Sequence, residues 1–186
     1  MKKTLMSIFA CAAVFMLFSC GSKPTSAAVQ AEQDGVPAWV YEGKKDSSGI
    51  YAVGAGKLSN DITSQKMAKA QARLELANEV QVQVKGVTQT YVDDQGADGD
   101  RQYLAALTEN ALLSTEAILN GSEQADMFRA KDGTIYVLMF LPKSTFVTEL
   151  AKQAEETSKK FNRTSSAEYT EAKMAEAYEK YFANNK

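Results

Sequence analysis

A glycine-rich segment behind a predicted strand is the first place where the residues could do chemistry, because phosphate-binding loops have this context. Residues 53–57 read Val-Gly-Ala-Gly-Lys. A Walker A loop requires a glycine where Tyr51 stands and a magnesium-binding hydroxyl where Leu58 stands. A dinucleotide-binding fingerprint requires a third glycine where Ser59 stands. We therefore interpret the glycines as a tight strand-to-helix turn that binds no nucleotide.

An acidic turn at residues 93–100 (DDQGADGD) is the second candidate, since closely spaced aspartates can bind calcium. In an EF-hand loop begun at Asp94, Gly96 would occupy the third position and Ala105 the twelfth, where a bidentate glutamate belongs. With both ligands missing, the sequence favours a solvated turn and no metal site.

The composition argues against the common nucleophilic enzymes. The 186 residues include no histidine and two cysteines, which excludes Ser-His-Asp triads, Cys-His dyads and histidine-containing zinc sites. No serine lies between two glycines that are each two residues away, and no serine is followed by a lysine three residues later, so both common motifs of a nucleophilic serine are missing. The formal net charge of −2 gives no basic footprint for nucleic acid. We predict a non-catalytic protein without a cofactor. An enzyme that uses a pair of the 23 carboxylates, as glycosidases do, is the least favoured of the functions considered.

Cys20 is the residue whose surroundings point most directly to a modification. Two lysines and the apolar run 5–18 form a leader that is too short to cross a bilayer but typical of a secretory signal. Its end, residues 17–20 (LFSC), resembles the bacterial lipobox, although Phe18 is bulkier than usual. We predict that residues 1–19 are a signal peptide and that Cys20 carries the lipid, including palmitate. A cleaved signal with an incidental cysteine and an uncleaved anchor stay open as alternatives.

The residues around Cys20 also bear on location. The other cysteine, Cys11, lies inside the leader, so lipidation of Cys20 would leave no thiol for a disulfide. Gly21 and Ser22 provide no aspartate of the kind that retains lipoproteins at the inner membrane. We therefore expect an outer-membrane protein whose exported domain faces the periplasm or the cell surface.

The rest of the chain divides by composition. Residues 20–36 are small and polar and predict a flexible tether. With 45% hydrophobic and 24% charged residues the chain is typical of a globular protein. We expect an ordered domain over 37–142 and a helical extension over 143–186.

The first element that the sequence predicts is a strand at 50–54, bounded by glycines. Asn60 or Asp61 can then cap a long helix. Its predicted buried stripe is Met67, Ala70, Leu74, Ala77, Val80, Val84, Val87 and Tyr91. Valines in 80–92 also alternate as in a strand. We favour one continuous helix because no turn residues interrupt it before Asp93.

A second helix and a hairpin follow the acidic turn. The helix is predicted to fold back antiparallel on the first and to end at Asn120, with a stripe of Leu104, Leu107, Ala111, Thr115 and Ile118. Strands over 122–130 and 134–141 flank a turn with Asp132 and Gly133. The second of these strands is apolar throughout, which predicts a central position.

Two helices should complete the chain. Ser144 can cap one, and residues 165–168 resemble a capping box that opens another. The last helix places Met174, Tyr178, Tyr181 and Phe182 at helical spacing. These side chains either pack on their own domain or form an interaction face. The predicted fold class is α+β: a three-stranded antiparallel sheet packed on a long helix or helical hairpin, with one or two C-terminal helices.

Four short segments, taken in order, resemble the Lpp-twenty family of small outer-membrane lipoproteins. They read PAWV at 37–40, YAVG at 51–54, an alanine-rich run at 68–77, and DGT-YVL at 132–138. The resemblance covers residues 37–142. It implies a dodecin-like α/β domain, and some similar proteins belong to the flagellar envelope apparatus while others are surface antigens.

Together these observations predict an outer-membrane lipoprotein whose non-catalytic domain is a structural or interaction component of the cell envelope. Its expected partners are the membrane, through the lipid on Cys20, and another envelope protein or a second copy. A flavin-like ligand module is the alternative, because dodecins bind flavin and Trp39 could stack on a ring. We favour the other role of a single tryptophan, in which Trp39 fills the core.

Overall fold

A computed structural model describes residues 26–95, 101–163 and 166–184. The predicted leader and Cys20 therefore lie outside the described residues. The elements in chain order are α1 (Ser26–Asp34), α2 (Trp39–Glu42), β1 (Gly49–Gly56), α3 (Asp61–Asp94), α4 (Arg101–Leu113), α5 (Thr115–Leu119), β2 (Glu123–Arg129), β3 (Ile135–Pro142), α6 (Lys143–Lys160) and α7 (Ala167–Asn184).

The three strands form one antiparallel sheet in the order β1-β3-β2, which confirms the predicted α+β class and the central place of β3. β1 pairs with β3 without interruption, with Ala52 opposite Met139. β2 and β3 form the predicted hairpin, whose turn includes Gly133 at a φ of 88°. Glycine suits this turn because L side chains rarely adopt positive φ.

The region 80–92 is helical, so α3 is the single long helix that we favoured over a strand. Asn60 caps it by accepting a hydrogen bond from the Thr63 amide at 2.9 Å. Val80, Val84 and Val87 are fully buried at steps of four and three. Helical periodicity outweighs the strand propensity of valine here because the buried stripe continues without a turn.

The first half of the predicted stripe on α3 is wrong. Met67 and Leu74 are 48% and 61% exposed, and Ala70 is exposed as well. The buried residues are instead Ser64, Ala68, Ala72 and Leu76. The reason is close packing on β1, where a Cβ added to Gly54 would lie 2.2 Å from the carbonyl oxygen of Ala68. Only small side chains fit between a helix and a strand at this separation.

The same contact corrects our interpretation of the glycine-rich segment. β1 extends to Gly56, so Gly54 and Gly56 lie within the strand and not in a turn. A Cβ at Gly56 would lie 2.2 Å from the carbonyl oxygen of Ser64. These glycines therefore allow α3 to approach the backbone of β1 closely. Glycine inside a strand often marks such a close contact with another backbone.

The helices after α3 pack into one core. We predicted one helix that ends at Asn120, but the structure has two, α4 and α5, separated at Ser114. Both run antiparallel to α3, as predicted, with Thr88 bonded to Thr108 at 2.9 Å and Arg73 to Asn120 at 3.3 Å. The described residues 93–94 end α3, and residues 96–100 of the predicted acidic turn lie outside the described ranges.

The C-terminal helices belong to the same core. Met174 and Tyr178 are fully buried, and the ring of Tyr178 meets Phe146 of α6 edge-on at 5.7 Å. Tyr181 and Phe182 are partly buried against the core. These side chains therefore pack on their own domain, which is the first of the two alternatives.

The predicted N-cap of α6 is wrong. α6 begins at Lys143 with Pro142 as its N-cap residue, so Ser144 is helical and not the cap. The amide of Lys143 donates to the carbonyl oxygen of Ser48 at 2.8 Å, which carries the β1–β3 pairing directly into the helix. In α7 the hydroxyl of Ser166 accepts from the amide of Tyr169 at 3.2 Å. Ser165, the predicted start of the capping box, lies outside the described residues.

The predicted tether contains regular structure. Residues 26–34 form α1, whose alanine, glutamine and glutamate residues favour a helix. Ala31 is buried, and the amide of Val36 donates to its carbonyl oxygen at 2.9 Å. The hydroxyl of Tyr41 reaches Asp34 at 2.8 Å. The chain is therefore ordered before Pro37, where we expected the domain to begin.

Candidate functional site

The outer edge of β1 carries backbone groups that no other described strand pairs. Alternate residues of an edge strand turn their N–H and C=O groups toward the neighbouring strand and away from it. The bond from Lys143 to the carbonyl of Ser48 fixes this alternation, so Ile50 and Ala52 face β3. Tyr51 and Val53 consequently turn their backbone groups to the free edge.

Both ends of this free edge are closed by the protein itself. At one end Gly49 forms an isolated bridge with Asp46, which belongs to the tight loop before the strand. At the other end the side-chain oxygen of Gln71 on α3 accepts a long hydrogen bond from the amide of Ala55, at 3.4 Å. The middle of the edge, at Tyr51 and Val53, remains available for pairing.

The free edge lies in the wall of a cleft of about 830 Å³. The loop before β1 forms one side, the middle of α3 a second, and the end of α7 a third. The cleft depends on α7 because Tyr181 and Phe182 line it. Ligand-binding clefts commonly have volumes of about 300–1,000 Å³, so this one could hold a small molecule or a peptide segment.

Acidic side chains predominate around the cleft. Its lining includes five carboxylates and two lysines, which are Glu42, Asp46, Glu75, Glu79 and Glu179 with Lys44 and Lys45. Lys44 pairs with Asp46 at 3.4 Å, and Lys143 pairs with Glu179. Hydrogen bonds from Ser48 hold the pKa of Asp46 below its usual range, so this carboxylate stays ionised.

Glu75 and Glu79 are the two carboxylates of the cleft that lack a cationic partner among the described residues. They lie one turn apart on the exposed side of α3. The amide of Asn78 contacts Glu75 at 3.4 Å, but no lysine or arginine in the described ranges forms an ion pair with either residue. Two like charges at this spacing repel each other, and a bound cation between them would relieve the repulsion.

Aromatic rings flank the edge on the face of the sheet opposite α3. Tyr51 stacks on Phe140 of β3 with ring centroids 4.6 Å apart, and the Lys44 ammonium lies 4.5 Å from the Tyr51 centroid. The hydroxyl of Tyr51 also bonds Ser48 at 2.9 Å. These contacts hold the loop before β1 against the strand and give the cleft a rigid border.

Two buried polar atoms lie in or beside the cleft without a hydrogen-bond partner among the described residues. They are the side-chain oxygen of Gln83, which lines the cleft, and the hydroxyl of Tyr178. Burial raises the pKa of Tyr178 to about 12, so this hydroxyl stays neutral. The oxygen of Gln83 is itself buried, so it is not an exposed acceptor of the cleft.

The sequence-predicted site residues are spread over the molecule. Cys20 lies outside the described residues. Trp39 does not line the cleft; its indole N–H donates to Asp126 of β2 at 3.0 Å, and the ring is half-buried. Glu75 and Glu79 were missed, although their spacing on a predicted helix was readable from the sequence. The cleft could not be foreseen because it requires the placement of α7 against α3.

The described residues contain neither a metal-binding group of carboxylates or cysteines nor a helix long and apolar enough to cross a membrane. What the cleft offers is a strand edge, carboxylates and aromatic surface. These groups are suited to recognising an extended peptide or a small polar ligand.

Comparison with protein families places the cleft in context. The model of the LPP20 lipoprotein family matches residues 37–141, which is more than half of the chain. The match spans β1 to β3 but not α6 or α7, so the cleft combines the family domain with a C-terminal wall. Comparisons with curated proteins and with solved structures found no match. On the evidence of the family match, this chain belongs to the LPP20 lipoprotein family and is a lipoprotein of the cell envelope.

Proposed function

We propose that this chain is an outer-membrane lipoprotein, anchored by lipid on Cys20, whose non-catalytic domain docks another envelope protein in the cleft beside β1. The observation that carries the docking role is the free edge at Tyr51 and Val53 within an acidic cleft. The lipobox-like residues 17–20 support the lipid anchor. The presence of Gly21 and Ser22 after the cysteine, instead of aspartate, supports a location in the outer membrane. Association with the flagellar envelope apparatus is one form that the partner could take.

Replacing the anchoring cysteine tests the lipid. Cys20→Ser should abolish labelling by radioactive palmitate and release the protein from membranes in a sucrose-gradient fractionation. Cys11→Ser is the matched control and should leave both unchanged, because Cys11 lies in the predicted leader. Palmitate labelling that persists in Cys20→Ser would contradict the anchor, and co-migration of the unaltered protein with inner-membrane markers would contradict the outer-membrane address.

Site-specific crosslinking in intact cells tests the docking role. A photo-crosslinking residue in place of Glu79 should capture a discrete envelope protein. The same residue in place of Glu109, which is exposed on α4 and away from the cleft, should not. Identical capture from both positions, or none from Glu79, would contradict docking in the cleft.

A small-ligand module is the second candidate, favoured by the volume of the cleft and the rings that border it. A flavin-like ligand would give the purified protein absorbance above 350 nm. We expect none, since the acidic lining opposes the phosphate groups that such cofactors carry.

A further inference from the structure

We propose that the cleft binds an extended, basic segment of the partner protein, which adds to β1 as a fourth antiparallel strand. This inference rests on the proposed function and specifies the chemistry of its partner. It combines two independent observations, both made within the described part of the chain: no strand pairs with the backbone of Tyr51 and Val53, and no cation pairs with Glu75 or Glu79.

The backbone groups determine the mode of binding. Tyr51 and Val53 each present one N–H and one C=O at the free edge, and Gly49 and Ala55 are engaged on either side. A partner strand could therefore form up to about four hydrogen bonds with this edge. Strand addition of this kind draws affinity from the main chain and specificity from alternate side chains.

β1 is ordered before a partner arrives. It pairs with β3 along its whole length, and Gly54 and Gly56 hold it against α3. The strand therefore loses little conformational freedom on binding, which favours association with a short segment.

The carboxylates determine the charge of the partner. Glu75 and Glu79 line the cleft from α3, on the face of the sheet that carries Ala52. Side chains of an added strand alternate between the two faces, so every second one points toward α3. Lysine or arginine at those positions would lie beside Glu75 and Glu79 and relieve their mutual repulsion.

The other face determines the remaining side chains. Residues directly opposite Tyr51 and Val53 in an antiparallel pair would lie on the face that carries the Tyr51–Phe140 stack. Apolar or β-branched side chains suit that position because cross-strand pairs with aromatic residues are stabilising. The expected segment thus alternates basic and apolar residues.

The same carboxylates argue against a second copy of this chain as the occupant. Pairing β1 with β1 of another copy would bring two acidic clefts together. The chain as a whole is also acidic, with a formal net charge of −2. A basic segment of a different protein has the complementary charge.

Synthetic peptides test the proposal with the protein unchanged. The probe is a peptide of about seven residues that alternates valine and lysine, titrated into the full-length protein in non-ionic detergent. N-methylation of the valines removes the N–H groups that face β1 and should weaken binding about tenfold or more, whereas N-methylation of the lysines should leave binding within about twofold. Replacing the lysines with glutamate should abolish binding.

Protein variants test the same contacts from the other side. Val53→Pro removes one edge N–H and should weaken binding about tenfold, while Met127→Pro, at the free edge of β2, should change it less than about twofold. The double reversal Glu75→Lys with Glu79→Lys should weaken binding at least about tenfold. Glu109→Lys with Glu116→Lys is its matched control and should bind the peptide normally. If Val53→Pro fails to fold, the methylated peptides and the charge reversals decide.

Several results would overturn the inference. They are equal binding of the two methylated peptides, equal binding of the glutamate peptide, or an unaltered affinity after charge reversal at Glu75 and Glu79. A concentration-dependent dimer in light scattering that Val53→Pro dissolves would assign the edge to a second copy instead. Failure of these peptide tests together with specific crosslinking from Glu79 would leave the docking role in place and remove only strand addition.

Discussion

The two edges of the sheet, β1 and β2, differ in sequence and in surroundings. β2 carries Glu123, Asp126 and Arg129, is exposed over almost its whole length, and has a register shift between Gln124 and Asp126. Charges and bulges of this kind discourage an edge from pairing with other chains. β1 has no charged residue and no irregularity over residues 49–56, and it lies in a cleft.

Because of this difference, only β1 is suited to accept a further strand. β2 is protected against pairing by its own residues, so it needs no cover. β1 would be an aggregation hazard if it were fully open, but helices restrict access to it, and the acidic residues of α3 limit which segments can enter. Pairing is thus confined to one edge and to partners of one charge.

The largest effect should come from removing α7, which forms one wall of the cleft beside β1. Truncation after Asn162 deletes α7 and with it the fully buried side chains of Met174 and Tyr178. At roughly 1.5–3 kcal/mol for each large buried side chain, the free energy of unfolding should fall by about 3–6 kcal/mol. Urea denaturation of the full and truncated chains measures this loss.

The alternative to this expectation is an assembly role for α7. Were that its main role, truncation would leave the urea midpoint of the monomer unchanged and reduce the mass in light scattering. Such a result would mean that α7 does not pack on its own domain and therefore does not form a wall of the cleft.

A smaller but still large effect should follow from separating β1 from α3. In Gly54→Ala the new methyl group would lie 2.2 Å from the backbone of Ala68 and Ala72, which cannot yield without moving the helix. We expect a loss of about 3 kcal/mol in the free energy of unfolding. Met127→Ala, which is exposed on the opposite edge, should change it by less than about 0.5 kcal/mol. Similar losses in the two variants would mean that β1 is not held more tightly than β2.

These two predictions show what the sequence could and could not foresee. The hairpin, the central β3 and the helical state of 80–92 were predictable because each depends on local periodicity and turn residues. The buried face of α3 near Ala68 was not, since Met67 and Leu74 have the larger apolar side chains. The choice of buried face depends on Gly54 and Gly56 of β1, which are not part of the helix. They bring the strand so close to α3 that only small side chains fit between the two elements.

The candidate site divides in the same way. The lipid attachment predicted at Cys20 depends only on a local motif, residues 17–20, so the sequence alone is enough to propose it. The cleft requires β1, α3 and α7 to meet, and no local pattern records that meeting. Trp39 shows the same limit: its type favoured a place in the core over a stacking platform, but the ring is only half-buried, and its N–H donates to Asp126 on β2.

The smallest effect is expected at the β2 edge. Arg129 forms an exposed ion pair with Asp61 at 3.0 Å, which links β2 to the start of α3. Arg129→Ala should lower the free energy of unfolding by about 0.2–1 kcal/mol, because solvent screens such pairs. Thermal melting at low and high salt measures it, and the difference from the unaltered protein should shrink as salt rises. A loss of several kcal/mol that salt does not reduce would show that β2 is held as firmly as β1.

Residue-resolved amide hydrogen exchange can show which edge of the sheet accepts a strand, because it reports on each edge N–H separately. In the free protein the amides of Tyr51 and Val53 should exchange quickly, while those of Ile50 and Ala52, which bond β3, should exchange slowly. Addition of the alternating valine-lysine peptide should slow Tyr51 and Val53 at least about tenfold and leave the β2 edge at Met127 unchanged. Slow exchange of Tyr51 and Val53 before any peptide is added, or protection that appears at Met127 instead, would contradict the claim that β1 is the pairing edge of this protein.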